Sequence, residues 1–366
     1  MTKAAELAKM GEVLTNSQIG GRRNIIINGA MQVAQRGTSF TSIGNNIYSL
    51  DRWLYYLAGS SSASDASQST DTPNNNFKNS LKLDVQTADT SVATNDLTCF
   101  LQKIEGQNVY QLGWGTADAE TVTLSFWVKS TKTGIHSGAF KNSAQDRSYV
   151  FEYTVNASNT WEYKTITVAG DTSGTWLTTN GIGVQVTFAL MAGTDFTKTA
   201  GSWGAGNNYG SDNQVNVMDS TSNEWYITGV QLEVGEVATP FEHRSFGEEL
   251  RLAQRYHYRI NGKASGNTTI GMGFSNVATQ SYSHIALPVN MRTSPSVTGS
   301  GFTASDFNSY TRTGTSLQIS GAENSSQGCS RTNLIVNVSS GLTTLRPSGN
   351  ALTASTSSFC AFDSEL

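Results

Sequence analysis

The sequence predicts an all-β protein: a jelly-roll β-sandwich, then a smaller β-sandwich, with one short helix at the N-terminus and another between the two. Three observations lead there. Apolar and polar residues alternate at period two over many short segments, as half-buried strands require. Clusters of Gly, Asn, Ser and Asp separate those segments, as in antiparallel sandwiches. The composition is 37% hydrophobic, 14% charged and 10% aromatic over 366 residues. Ordinary soluble domains carry about a quarter charged residues; here Ser, Thr, Asn, Gln and Gly take their place, while the aromatics supply core material that a disordered chain lacks.

Residues 1–23 open with a weak amphipathic helix. Ala4, Leu7, Met10 and Val13 or Leu14 form an apolar stripe, interrupted by Gly11. So short a helix is marginal alone in water and needs a surface to pack on; the alternative is a frayed tail. Residues 24–244 carry the main run of strand signals. Val122, Leu124, Phe126 and Val128 alternate with Thr123, Ser125, Trp127 and Lys129; Tyr149 to Val155, Ile166 to Val168, Val184 to Leu190 and Leu81 to Val85 follow the same rule. Tyr226, Thr228, Val230, Leu232 and Val234 fall on one face of a last strand. A jelly roll satisfies these signals because its first and last strands close the sheets. Two polar stretches, Ser60–Asn76 and Thr194–Asp219, read as long loops, of the kind that often bind ligands.

Pro240 prevents a helix from starting before it. Ser245 and Glu248 then have capping-box spacing, and Leu250, Ala253, Gln254 and His257 share one helical stripe. A linking helix over 245–259 follows. Residues 260–366 read as a second β-domain, with strands over Thr268–Phe274, Gln280–Leu287, Ser316–Ser320, Thr332–Val338 and Ser357–Asp363.

A net charge of −4 without any Lys/Arg block gives no basis for a nucleic-acid partner. No run approaches the roughly 18 apolar residues of a membrane span, so no membrane insertion is expected. The opening MTKAAELAKMGEVL lacks the apolar centre of an export signal, which points to synthesis in the cytoplasm. Cys99, Cys329 and Cys360 are too few for a disulfide framework; the last two share a domain, open to a bridge or to two buried thiols. No nucleophile elbow, metalloprotease helix or phosphate loop is present, and His136, His243, His257 and His284 lack metal-ligand spacing. Adjacent Glu248 and Glu249 point apart on a helix and cannot work as an acid/base pair. No catalytic residue, metal or cofactor is therefore assigned.

Aromatic residues in loops are the better candidates, since sugars stack their C–H faces on rings. Trp114, Trp176 and Trp203 are flanked by small residues, and Tyr209 follows in the same long loop. In the C-terminal domain Tyr282, His284, Phe302, Phe307, Tyr310 and Arg312 lie in or near loops. The competing reading is that such rings fill a sandwich core. Trp53, Trp127, Trp161 and Trp225 lie in strands and are assigned to packing.

Two blocks carry a resemblance. One is Gln231-Leu232-Glu233, then Ala238 to Arg244 (ATPFEHR), then Glu248-Glu249-Leu250 with Gln254-Arg255-Tyr256. The other is Asn24 to Gly29 (NIIING), then Ala34 to Thr38 (AQRGT), then Leu50 to Trp53 (LDRW). In this order they resemble the tail-fibre and other virion structural proteins of tailed bacteriophages, and the closing Ala361–Leu366 resembles how such chains end. The resemblance implies that Asn24–Gly29 opens a jelly roll similar to carbohydrate-binding modules. It implies a homotrimer located in the virion tail. Leu7, Met10, Val13 and Leu14 would dock on tail adaptor or nozzle proteins, and the β-domains would hold a host surface polysaccharide. Similar modules often hold a structural calcium ion, although no D-x-D-x-D loop is present. A head or neck decoration protein and a small polysaccharide-degrading enzyme are the alternative readings.

Overall fold

The computed structural model describes Lys3 and residues 23–306, 310–320 and 328–366. The expected docking residues Leu7, Met10, Val13 and Leu14, and Phe307 in the C-terminal domain, lie outside them. The chain forms two compact units, one ending at Phe246 and one beginning at Gly247.

The first unit contains β1 (Ser39–Phe40), β2 (Ile47–Tyr48), β3 (Leu54–Ala58), β4 (Ala63–Ser69), β5 (Ser80–Thr87), β6 (Leu97–Glu105), β7 (Val122–Ser130), β8 (Gly134–Lys141), β9 (Arg147–Val155), β10 (Glu162–Val168), β11 (Ile182–Ala192), β12 (Thr197–Lys198), β13 (Trp203–Ala205), β14 (Gly210–Ser211) and β15 (Glu224–Val234). Two antiparallel sheets face each other, with strand orders β1-β4-β5-β15-β7-β10 and β13-β9-β8-β11-β6-β3-β2. The last strand, β15, lies inside the first sheet between β5 and β7. This is the closure that a jelly roll demands. Between the sheets pack Trp53, Leu83, Phe100, Phe126, Phe188 and Trp225, all buried.

Three expectations are corrected here. Asn24–Gly29 is not a strand: it meets β15 through only two backbone bonds, Ile25 N to Leu232 O and Val230 N to Gly29 O, and side chains supply the rest, with Ile27 N donating to Gln102 Oε1. Ser60–Asn76 is not wholly loop, since its Ser- and Ala-rich middle forms β4, paired along β5. Within Thr194–Asp219, Trp203 lies in β13 on the edge of the second sheet, against β9.

The two blocks that carry the resemblance meet in space as a polar latch. Glu242 accepts from the amides of Arg23 and Asn24 (3.2 and 2.8 Å). The Asn24 side chain bridges to Val230 O and Leu232 N (both 3.1 Å). Arg244 donates to Asn24 O and Ile26 O, and Gln231 Oε1 accepts from Glu242 N (2.8 Å). Gly29 sits so close to β15 that any Cβ would meet Val230 O at 2.1 Å. The motif residues thus tie the chain's entry into this unit to its exit, and fix the 236–244 loop over the first sheet.

Helix α1 (Phe246–Gln254) starts at the last residue of the first unit and runs into the second, which continues with β16 (His257–Asn261), β17 (Thr268–Val277), β18 (Gln280–Met291), β19 (Ser296–Ser300), β20 (Phe302–Asp306), β21 (Tyr310–Ser320), β22 (Cys329–Val338), β23 (Pro347–Leu352) and β24 (Phe359–Asp363). The helix is shorter than expected. His257 leaves the helical stripe and starts β16, where Nδ1 lies 3.0 Å from Asp363 Oδ2 on β24. The strand signals expected to build a small sandwich build a closed barrel instead, β17-β18-β22-β21-β20-β23, beside a three-stranded sheet β16-β24-β19. Alternation reads the same in either architecture. Closure depends on β23 pairing with both β17 and β20, which is non-local information. Cys99, Cys329 and Cys360 are buried thiols with no disulfide between them.

Candidate functional site

The outer face of the first sheet holds the main groove, and the strand alternation builds it. In β7, Val122, Leu124, Phe126 and Val128 point into the core, which leaves Thr123, Ser125, Trp127 and Lys129 outside. Tyr163 on β10 stands opposite Trp127, their ring centroids 5.2 Å apart. Tyr163 is 45% exposed, a large ring left open to solvent.

The neighbouring strand β15 changes face. A bulge between Thr228 and Gln231 adds a residue, with Gly229 in the left-handed region at φ 63°. Trp225 and Ile227 therefore share the core with Val230 and Leu232, and Tyr226 turns outward. The expected single face from Tyr226 to Val234 is thus broken at Gly229. The glycine also makes room: a Cβ there would stand 2.8 Å from the Phe77 ring and 3.2 Å from Trp127.

Over this floor stand two walls, one from Asn74–Phe77 and one from Ala238–His243. Phe77, Phe241 and His243 pack ring against ring at 4.9 to 5.4 Å. The space enclosed is about 850 Å³, lined also by Ser125, Trp127, Tyr163 and Gly229. Among the described residues, those lining it include no Asp or Glu.

Beyond Trp127 the same face carries charge. Lys129 contacts Asp71, and its ammonium lies 4.1 Å from the Tyr226 ring centroid. Lys82 meets Glu224 at 2.6 Å and Asp84 at 3.5 Å. Trp161 donates its indole N–H to Asp71 (2.9 Å) and packs edge-on against Tyr226. Partial burial alone would raise the Asp71 carboxyl, but the bonds from Lys129 and Trp161 outweigh it and hold it below its usual range. Glu224 is likewise lowered, burial being overcome by Lys82 and Tyr226.

The sequence-predicted residues fall in several places. Trp114, Trp176 and Trp203 come together, with ring centroids 4.8 to 5.4 Å apart and edge-to-face throughout. Trp114 is buried. Their indole N–H groups donate to the loop carbonyls of Glu120, Ser173 and Ala169. The three rings pack on one another; the Trp114 and Trp176 donors bond within their own loops, and that of Trp203 ties β13 to the loop that carries Trp176. A pocket of about 140 Å³ beside it is lined by Tyr110, Trp114 and Trp176. Tyr209 is buried in a separate cluster outside the second sheet, stacked on Tyr56. In the barrel, Tyr282 stacks on Phe274 at 5.7 Å, and His284 is exposed two residues on, near Asn333. Arg312 lies against Gly341, and β22 separates its strand from that of Tyr282. Tyr310 begins β21, its backbone opposite Asp306.

Sequence reasoning passed over Trp127, Trp161, Tyr163 and Tyr226 on this face. One signal was present. Trp127 is in phase with Thr123, Ser125 and Lys129, the polar half of its strand, where a core tryptophan does not belong.

Among the described residues, no group of three or more His, Cys, Asp or Glu converges in a way that could hold a metal ion. No helix among them is long and apolar enough to cross a membrane.

No protein-family profile matches the sequence, and no curated protein matches it. Solved structures do. The enzymatically active domain of tailspike protein 4 from bacteriophage CBA120 is 14% identical, with a TM-score of 0.29 over 53% of this chain and 21% of that one. A putative sugar-binding protein from Bacteroides thetaiotaomicron is 11% identical, with a TM-score of 0.31 over 58% of this chain and 100% of that one. The family 11 carbohydrate-binding module of Clostridium thermocellum, in complex with a β-1,3-1,4-mixed-linked tetrasaccharide, is 13% identical, with a TM-score of 0.27 over 55% of this chain and 98% of that one.

Proposed function

We propose that the first unit binds a glycan chain on the outer face of its first sheet, and that the protein is a bacteriophage virion component, a trimeric tail fibre that attaches to host surface polysaccharide. The groove around Trp127 and Tyr163 carries the binding reading. It offers an open ring for stacking, flanking aromatic walls, and amide and hydroxyl groups from Asn74, Asn76, Ser125 and Thr239 for hydrogen bonds. Sites for small ligands combine apolar walls with a few polar groups in this way. Its lining supports binding over cleavage, because glycoside hydrolysis generally uses a pair of carboxylates across the bond and none lines the groove among the described residues.

The virion reading rests on the two motif blocks. Avidity gives it physical sense: several weak sugar contacts on one trimer hold far more tightly than one. A head or neck decoration protein shares those motifs and differs in where the N-terminal segment docks. Imaging of intact particles that traces this chain distinguishes them; a position on the capsid overturns the tail assignment. Binding is tested by titrating the whole protein with host surface oligosaccharides. Trp127→Ala and Tyr163→Ala should each weaken it by about tenfold, the worth of one stacked ring. Unchanged affinity in both variants overturns the site.

A further inference from the structure

We infer that the ligand of this face is an uncharged glycan chain, and that acidic sugars are discriminated against by the carboxylates lying beyond Trp127. This rests on the glycan-binding reading above and assigns the chemical class of the ligand. The two ammonium groups on the face are already engaged. Lys129 holds Asp71, and Lys82 holds Glu224 and Asp84. Three carboxylates thus stand against two cations. A uronate or sulfate laid along the strip from Trp127 to Tyr226 meets net negative charge. To reach either lysine it must displace a partner that already has it at hydrogen-bond distance. Lys129 is buried while Asp71 is half-exposed, so the pair is only partly screened by salt. Stripping Asp71 from it leaves a buried ammonium without its carboxylate, which costs more than losing a surface pair. Beyond this strip, the groove presents rings, amides and hydroxyls, which suit a neutral pyranose.

The test is calorimetry of the whole protein against matched neutral, uronate-containing and sulfated oligosaccharides at pH 8, in low and high salt. The neutral chain should bind with affinity that changes by less than about twofold between 50 and 500 mM salt, since no charge pair forms across the interface. Its acidic counterparts should bind at least about tenfold more weakly at low salt, a penalty of roughly 1.4 kcal/mol or more. Asp71→Asn releases Lys129 and should raise affinity for the acidic chains severalfold while leaving the neutral chain unaffected. Tyr163→Ser, at a position 45% exposed, should weaken the neutral ligand by about tenfold. Preference for acidic chains with affinity falling as salt rises overturns this inference and leaves glycan binding standing. Binding of neither class overturns the glycan-binding reading itself.

Discussion

Gly229 shows how a single residue sets the site. Its left-handed backbone is cheap only for glycine, and its missing side chain lets Phe77 and Trp127 close the floor. Gly229→Ala should cost about 1–3 kcal/mol by denaturant melting, from strained φ and crowding together, and should weaken ligand binding. Trp114→Ala should behave oppositely to Trp127→Ala. It removes a buried ring from a three-tryptophan cluster and should destabilise by about 3–5 kcal/mol, with ligand affinity of the folded protein unchanged. At this scale the sequence was legible in part. It marked Trp114, Trp176 and Trp203 as special because small residues surround them, yet those neighbours allow close ring packing as readily as exposure. It hid Tyr226, because the bulge that turns this ring outward is a tertiary event at one glycine.

Strands were the most legible elements, since alternation follows from burying one face. β7, β9, β11, β17, β18 and β22 stand where the periodicity placed them. β4 was hidden because its Ser- and Ala-rich residues have no strand propensity of their own and depend on pairing with β5. The most unusual element is β8, which buries two basic groups. Burial pushes the His136 imidazole down to about 4 from 6.5, against a hydrogen bond with Lys132 O. Burial likewise pushes the Lys141 ammonium down to about 7 from 10.5; it sits 3.2 Å from the Tyr209 ring centroid and contacts Asn207 Oδ1. Both groups bind fewer protons folded than unfolded, so stability rises with pH through each window. His136 should cost up to about 3 kcal/mol as pH falls from 6.5 to 4, and Lys141 up to about 5 kcal/mol at pH 7 and below, a cost relieved towards pH 10.5. Denaturant melts across pH 4–10 check this: His136→Phe should flatten the acid limb and Lys141→Met the alkaline one. A wild-type stability that falls between pH 7 and 10 contradicts it.

At the scale of the molecule, the strongest sequence signals proved to be structural. The motif residues Asn24, Gln231, Glu242 and Arg244 hold the first unit's entry to its exit and brace the wall that carries Phe241 and His243. A resemblance written in such residues reports a scaffold and one wall of the groove, through Phe241 and His243, whereas the floor rings Trp127 and Tyr163 lie outside the motifs. The proposed fibre should behave as a trimer, so light scattering should give about three times the 39.2 kDa chain mass; a single-chain mass at working concentration contradicts trimerisation. The proposed ligand face is the outer face of the first sheet. A crystal structure of the whole protein with a bound neutral oligosaccharide tests this. A sugar ring should stack on Tyr163 and Trp127 between the walls bearing Asn76 and Phe241. A sugar seated instead beside Trp114 and Trp176, or only on the barrel near Tyr282, contradicts it.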